Sequence, residues 1–158
     1  MQLKKLDRSF YVDHAHLREA LDNQDGSWAS GKTRGYGVVV ISIKDLTFAI
    51  PLRSNIRHSA AYITVRGNRS GIKGKGLDFS KARLITDERY ISSELFKIPA
   101  AEHQRLLAKE HFVTQKFERY VAKYIRAVSR NDTHILNSSE YRYTTLINYH
   151  GHLGLDSE

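Results

Sequence analysis

The sequence predicts an α+β fold in which a small, strongly bent antiparallel sheet or barrel is packed by carboxy-terminal helices. Two patterns and one bound on size carry that expectation. Strand-length apolar runs rich in β-branched residues follow one another from Tyr36 to Ile85. Beyond Ala100 the apolar residues recur at helical spacing instead. The chain has 158 residues, which suits one domain with one core, and it shows no internal repeat or low-complexity segment. A single domain over 1–158 is therefore expected.

Taken in order, Gln2 to Leu6 reads as a short edge strand. Asp13 is placed to cap a first helix with an apolar face of Ala15, Leu17, Ala20 and Leu21. Asn23 to Gly35, NQDGSWASGKTRG, reads as loop because it sets three glycines among small polar residues. Trp28 within it either tucks into the core or offers a stacking surface, and tucking is the commoner fate of a lone Trp. Tyr36 to Ile43 is nearly continuously apolar, as befits a central strand buried on both faces. Lys44-Asp45 makes a turn and Thr47 to Leu52 returns. Pro51 has no N–H to give a ladder, so it is expected at that strand's end or on an edge.

Ala60 to Val65 forms a third strand, with Tyr62 and Thr64 on one face and Ile63 and Val65 on the other. Arg66 to Gly76, RGNRSGIKGKG, reads as a mobile basic loop, Leu77 to Ile85 as a fourth strand, and Tyr90-Ile91 as the start of a short element. Ala100 to Glu110 is helical, and Phe117, Val121, Tyr124, Ile125 and Val128 form an amphipathic stripe. Lys116, Lys123, Arg126 and Arg130 fall mostly off that stripe and read as its solvent face. Asn131-Asp132 breaks this helix, and Ser138 or Ser139 is expected to cap a last helix through Tyr149 that Gly151 ends.

Hydrophobic residues make up 41% of the chain and charged residues 27%, a globular composition and not a disordered one. No run is long and apolar enough to span a bilayer. The amino terminus, MQLKKLDRSF, lacks the apolar core of a signal peptide. With no cysteine there is neither a disulfide framework nor a thiolate metal site. A cytoplasmic protein without membrane contact fits these features. The net charge of +8 is concentrated: Lys32 to Arg83 holds eleven Lys or Arg against two acids, Asp45 and Asp78, and the rest of the chain is close to neutral. Such a face suits a polyanion, with nucleic acid the leading class and a solubilising basic loop the plain alternative.

His14-x-His16 and His150-x-His152 lack an accompanying HExxH, carboxylate cluster or cysteine, so no metal or other cofactor is expected. Gly71-Ile-Lys-Gly-Lys-Gly lacks the spacing of a Walker loop, although glycines beside lysines can wrap a phosphate. The run Arg53-Ser54-Asn55-Ile56-Arg57-His58 is richer. It gathers two guanidinium groups, a hydroxyl, an amide and an imidazole at one strand end. Metal-free RNA cleavage needs a base or dipole on the ribose 2′-hydroxyl, cations on the phosphorane oxygens and an acid for the leaving 5′-oxygen. Imidazole titrates in the useful range, and guanidinium grips phosphate in a fork but is a poor proton donor. The alternative reading is a β-turn whose Ser and Asn satisfy local backbone groups.

The string KTRGYGVVVISIKDLTFAIPLRSNIRHSAAY, followed by GKGLDFSKARLITDERYI, resembles the toxins of type III toxin–antitoxin systems, the ToxN/AbiQ-like endoribonucleases, and is nearest to their TenpN branch. The resemblance extends from FYVDHAHLREALD to SSEYRYTTLINYH, and its most specific pieces are PLRSN with its His and GLDFSKARLI. It implies an SH3-like, Kid/MazF-type barrel elaborated with helices. It implies metal-independent RNA cleavage to 2′,3′-cyclic phosphate and 5′-hydroxyl ends. The implied partner is an antitoxin RNA, a repeated pseudoknot that the toxin cuts from its precursor and that then inhibits it in a closed protein–RNA hetero-oligomer. The implied role is phage defence by abortive infection, with cellular or phage RNA as substrate.

In ToxN the strand-end loop begins Pro-Leu-Thr-Ser and continues into a lysine that matters for cleavage. Here the loop is Pro51-Leu52-Arg53-Ser54, so Ser54 carries over, Arg53 replaces the threonine and Ile56 falls at the lysine. Arg57 and His58 are the nearby substitutes. A second family lysine, just before the central strand, falls at Thr33, flanked by Lys32 and Arg34. An aromatic near the amino terminus corresponds to Tyr11. These matches imply that Ser54 orients the reacting group, that Arg53 and Arg34 hold the scissile phosphate with Lys32 assisting, and that His58 is acid or base. Tyr11, Asn55 and Arg57 would contact RNA, and Arg66, Arg69, Lys73, Lys75 and Lys81 would bind its backbone away from the chemistry. Tyr36 and Tyr62 stack on bases or, more commonly for such residues, fill the core. A non-catalytic nucleic-acid-binding module on a small β-barrel shares the basic face and is the alternative.

Overall fold

The computed structural model describes residues 3–19, 23–24, 27–28 and 37–155. Among them are β1 (Leu3–Leu6), α1 (Arg8–Asp13), β2 (Asn23–Gln24), β3 (Ser27–Trp28), β4 (Val38–Ile43), β5 (Leu46–Ile56) and β6 (Ala61–Arg66). There follow β7 (Gly74–Asp78), β8 (Arg83–Leu84), β9 (Ile91–Leu95), α2 (Ala100–Ala108), α3 (Glu110–Ser129) and α4 (Thr133–Leu136). Single turns of 3-10 helix cover Phe79–Lys81, Glu88–Tyr90 and Thr145–Asn148. Seven strands form one antiparallel sheet in the order β6-β7-β5-β4-β1-β9, with β8 also on β5, and β2 pairs with β3 apart from it. The fold is α+β as expected. The sheet is not closed into a barrel, because β6 and β9 do not pair.

The β4–β5 hairpin is the axis of the sheet. Its register runs from Val38↔Pro51 to Ile43↔Leu46. Lys44 and Asp45 turn it with φ of 46° and 65°, the paired left-handed conformations that a two-residue hairpin matching the strand twist requires. Strand β5 continues through Pro51 to Ile56, so the proline neither ends the strand nor marks an edge. Leu52 donates its N–H to the Gly37 carbonyl on the β4 side. The Pro51 nitrogen therefore faces the other side, between the β8 pairing at Ala49 and the β7 pairing at Leu52, where no ladder bond is lost.

Strand β7 takes over residues expected in a loop and leaves only 67–73 as the β6–β7 connection. A Cβ on Gly76 would strike the Tyr62 carbonyl, and one on Gly74, at φ 141°, the Val65 carbonyl. The glycines that looked like loop residues are instead what lets β7 lie close against β6. Their strand ends at Asp78, where a 3-10 turn and the short β8 replace the single fourth strand expected through Ile85.

Helix α3 buries Val113, Phe117, Tyr120, Val121 and Tyr124. Phe117 meets Phe48 of β5 and Phe79 at ring-centroid distances of 5.2 and 5.4 Å. Each such side chain contributes roughly 1.5–3 kcal/mol on burial. The carboxy-terminal segment clamps this layer. Tyr141 stacks on Tyr120 at 4.6 Å and donates to the Tyr120 carbonyl at 2.8 Å, and Thr145 Oγ1 donates to the Ala82 carbonyl. This segment is a 3-10 turn capped by Thr144 and not a helix capped by Ser138 or Ser139. The first helix also lies earlier than expected. Asp7 caps α1 through the Ser9 N–H at 2.9 Å, and Asp13 ends the helix, accepting from Tyr90 and Arg89 at 2.8 Å each. Strand β1 lies between β4 and β9 and so is interior.

Replacing Gly76 by alanine forces β6 and β7 apart at backbone, which no side-chain rotation relieves. The expected loss is about 2–4 kcal/mol, read as a lowered urea midpoint. A midpoint equal to the parent's would contradict the close approach described.

Candidate functional site

The basic strand end is organised by an acid. Asp78 closes β7 and is fully buried. Its Oδ1 accepts from the Ser80 N–H at 3.0 Å and the Ser80 hydroxyl at 2.6 Å, and lies 3.2 Å from His58 Nε2. Its Oδ2 accepts from Arg53 Nη1 at 2.8 Å. Burial pushes the Asp78 carboxyl up, but bonds from His58, Ser80 and Arg53 outweigh that and hold it below its ordinary value. Asp78 is therefore an anion at neutral pH.

His58, expected as acid or base, is engaged at both ring nitrogens. The Ala60 N–H donates to Nδ1 at 3.2 Å, which leaves the ring proton on Nε2, directed at Asp78 Oδ1 and Ser80 Oγ. Both ring nitrogens are engaged and only 15% of the side chain is exposed. The imidazole thus bridges the Ala60 N–H and the Asp78 carboxylate.

Beyond Arg53 the sheet register slips. Arg53 faces Gly76 and Ile56 faces Gly74, so β5 carries one residue more than its partner across this span. Asn55 absorbs the bulge at φ 57°, a left-handed conformation that asparagine tolerates better than most residues. Ile56 is buried behind it, while Ser54, Asn55 and Arg57 are exposed. The hydroxyl and the amide are thus exposed on the bulge, and the exposed Arg57 follows directly after β5. Arg53, 39% exposed, sits beside them with one donor committed to Asp78.

The opposite rim is the β6–β7 connection. Arg66, Arg69 and Lys73 are exposed there, and Lys73 N–H bonds the Ile56 carbonyl at 2.8 Å. The other expected RNA contacts are placed differently. Lys75 Nζ lies 3.2 Å from the carboxylate of buried Glu102, which also accepts from Thr64 at 2.9 Å, so this lysine ties α2 to β6 and β7. Lys81 donates to the carbonyls of Glu19 and Tyr143 at 2.7 and 2.8 Å. Burial lowers its pKa, Glu19 and Asp78 pull it back up, and Arg53 adds to the lowering. It therefore belongs to the site's electrostatics and not to an outlying backbone contact. Tyr11 is 2% exposed, with the Arg83 guanidinium 5.6 Å from its ring, and its burial removes it from the RNA-contacting set. Tyr62 is half-buried against Phe112. Lys32, Arg34 and Tyr36 lie outside the described residues, as does most of the segment around Trp28.

Asp78, Ser80 and Glu102 are residues to which the sequence assigned no role, and Lys116, read as part of a solvent face, is half-buried and donates to the Ala61 carbonyl. A signal existed for the first pair. Asp78 is one of two acids in the basic third of the chain, and Asp-Phe-Ser is the local pattern in which an Asp caps its own i+2 residue.

Asp78→Asn keeps the volume but removes the charge that Arg53 faces. It is expected to lower stability by about 3 kcal/mol, or roughly 6–12 °C in Tm for a chain of this size. The pH dependence has a defined sign. Because the folded pKa is depressed, the Asp78 contribution is complete above its unfolded value near 4 and is lost as pH falls through the folded value, at about 1.4 kcal/mol per unit. Asp78→Asn should therefore flatten the acid limb of stability against pH; an unchanged limb would contradict the pairing.

Among the described residues no helix is long and apolar enough to cross a membrane. Comparison of the chain with protein-family models, curated proteins and solved structures finds no match.

Proposed function

We propose that this protein is a metal-independent endoribonuclease of the type III toxin class, cleaving RNA through the ribose 2′-hydroxyl to leave 2′,3′-cyclic phosphate and 5′-hydroxyl ends. The observation that carries the reading is the β5 bulge, which exposes Ser54 and Asn55, with Arg57 just beyond it, beside an Arg53 held by a buried carboxylate. Ser54 orients the reacting hydroxyl or a non-bridging oxygen. Arg53 and Arg57 neutralise phosphate charge, with Arg53 preset by Asp78 and so losing little freedom on binding. Lys32 and Arg34 complete the phosphate clamp. Arg66, Arg69 and Lys73 draw the RNA backbone to the site.

His58 and Asp78 hold the site's shape; the phosphate-stabilising work of the absent family lysine falls to Arg57 and the Lys32/Arg34 pair, of which Lys32 is the group that can transfer a proton. The partner is a repeated pseudoknot RNA antitoxin that inhibits the toxin in a closed protein–RNA assembly. The setting is cytoplasmic, in phage defence. On this reading an SH3-like core would be built from β4 through β8; what supports it is that β5 pairs with β4 on one side and with both β7 and β8 on the other.

One observation favours the second reading, a binding module that does not cleave: both ring nitrogens of His58 are occupied, and arginine is a poor proton donor. Incubating the protein with mixed RNA in EDTA separates the two. Cyclic-phosphate ends support the enzyme, and intact RNA at high protein concentration favours the module.

Ser54→Ala is expected to lower cleavage about 10²-fold, the usual loss on removing one oriented hydrogen-bond group at a reacting centre, with Tm unchanged because the hydroxyl is exposed. His58→Gln keeps a donor toward Asp78 and is expected to retain cleavage within about tenfold, whereas His58→Ala lowers Tm. If His58→Gln lost more than about 10²-fold at an unchanged Tm, the imidazole would return to proton transfer.

A further inference from the structure

A cavity of about 170 Å³ opens between the β5–β6 connection and α3, lined by Ser59, Ala60, Lys116, Arg119, Lys123 and Glu140 among others, over the Tyr120–Tyr141 stack. Three cations meet one acid there. Lys116, Arg119 and Lys123 lie at i, i+3 and i+7 on α3, one helical face. This face is not simply the solvent side that the amphipathic pattern suggests. Lys116 donates to the Ala61 carbonyl at 2.7 Å and is half-buried. Burial lowers its pKa, Glu140 opposes this, and Lys73 of the β6–β7 connection adds to the lowering.

The cavity neighbours the strand-end site along the chain. Ser59 and Ala60 follow His58 directly, and Lys73 is bonded through its backbone to Ile56 at the bulge. A line of cations thus runs from Arg57 and Lys73 past Lys116 to Arg119 and Lys123. Cations converging on a recess at the end of such a line are under-compensated without an anion.

We propose that this recess is a second nucleotide subsite, in which Lys116, Arg119 and Lys123 hold a backbone phosphate while the cavity wall takes the attached sugar, one or more nucleotides along the strand from Ser54. The proposal rests on the RNA reading above and adds a strand direction to it: RNA leaves the bulge along the β5–β6 connection toward α3. The subsite recognises backbone, so it should favour length over sequence.

The test uses Arg119→Ala/Lys123→Ala in the full chain. The probes are 2′-O-methyl oligoribonucleotides, a dinucleotide and an octanucleotide, whose blocked 2′-oxygens prevent cleavage. Binding is followed by anisotropy over a salt series. The octanucleotide is expected to bind about tenfold more weakly, with a log–log salt slope shallower by about 0.7, the value for one single-strand phosphate contact. The dinucleotide, held at the bulge, should be unaffected. Octanucleotide affinity and slope equal to the parent's would overturn the subsite, as would an equal loss for both probes. Failure of the parent to bind either probe would instead overturn the RNA reading itself, and with it this proposal.

Discussion

An ionised carboxylate with no exposed surface is unfavourable by several kcal/mol unless donors surround it. Asp78 meets that demand with groups from three places: Arg53 on β5, His58 in the β5–β6 connection, and Ser80 in the turn after β7. Each is satisfied by the same two oxygens. Strand, connection and turn are therefore not three independent pieces, because moving one leaves a buried charge short of a partner. The geometry of the strand end, from the angle of the Arg53 guanidinium to the path of the loop carrying Arg57, follows from that one requirement.

The same logic sorts the cations. An inner group is anchored: Arg53 on Asp78, Lys75 on Glu102, Lys81 on the Glu19 and Tyr143 carbonyls, and Lys116 on the Ala61 carbonyl. An outer group, Arg57, Arg66, Arg69 and Lys73, is exposed at the rim. Anchored side chains have already given up their rotamer freedom and so bind an anion with less entropic loss. Exposed ones contribute field and on-rate more than fixed geometry. A polyanion approaching this face would meet long-range attraction at the rim and fixed donors inside.

What the sequence made legible follows from period. The nearly continuous apolar run and β-branching of Val38 to Ile43 and the stripe on α3 are local properties, and both appear where expected. The exposed Ser54, Asn55 and Arg57 were legible too, because polar residues after an apolar strand have few places to go. What stayed hidden was pairing. Nothing local says that Gly74 and Gly76 serve a close strand approach and not a loop, since glycine serves both. His58 looked reactive because an imidazole beside arginines has the right chemistry. Its commitment to Asp78, twenty residues away in sequence, is a tertiary fact. Barrel closure failed for a related reason: strand content does not fix whether the first and last strands meet.

The bulge at Asn55 has one more consequence. A residue at φ 57° is more comfortable as glycine, and this chain does use glycine freely nearby. An asparagine kept in that conformation exposes its amide on the β5 bulge while holding the chain in a shape a smaller residue would hold with less strain. Architecture alone would accept replacement there, so Asn55 is where the demands of folding and of recognition can be told apart: a side chain whose worth is measured in contacts made and not in structure kept.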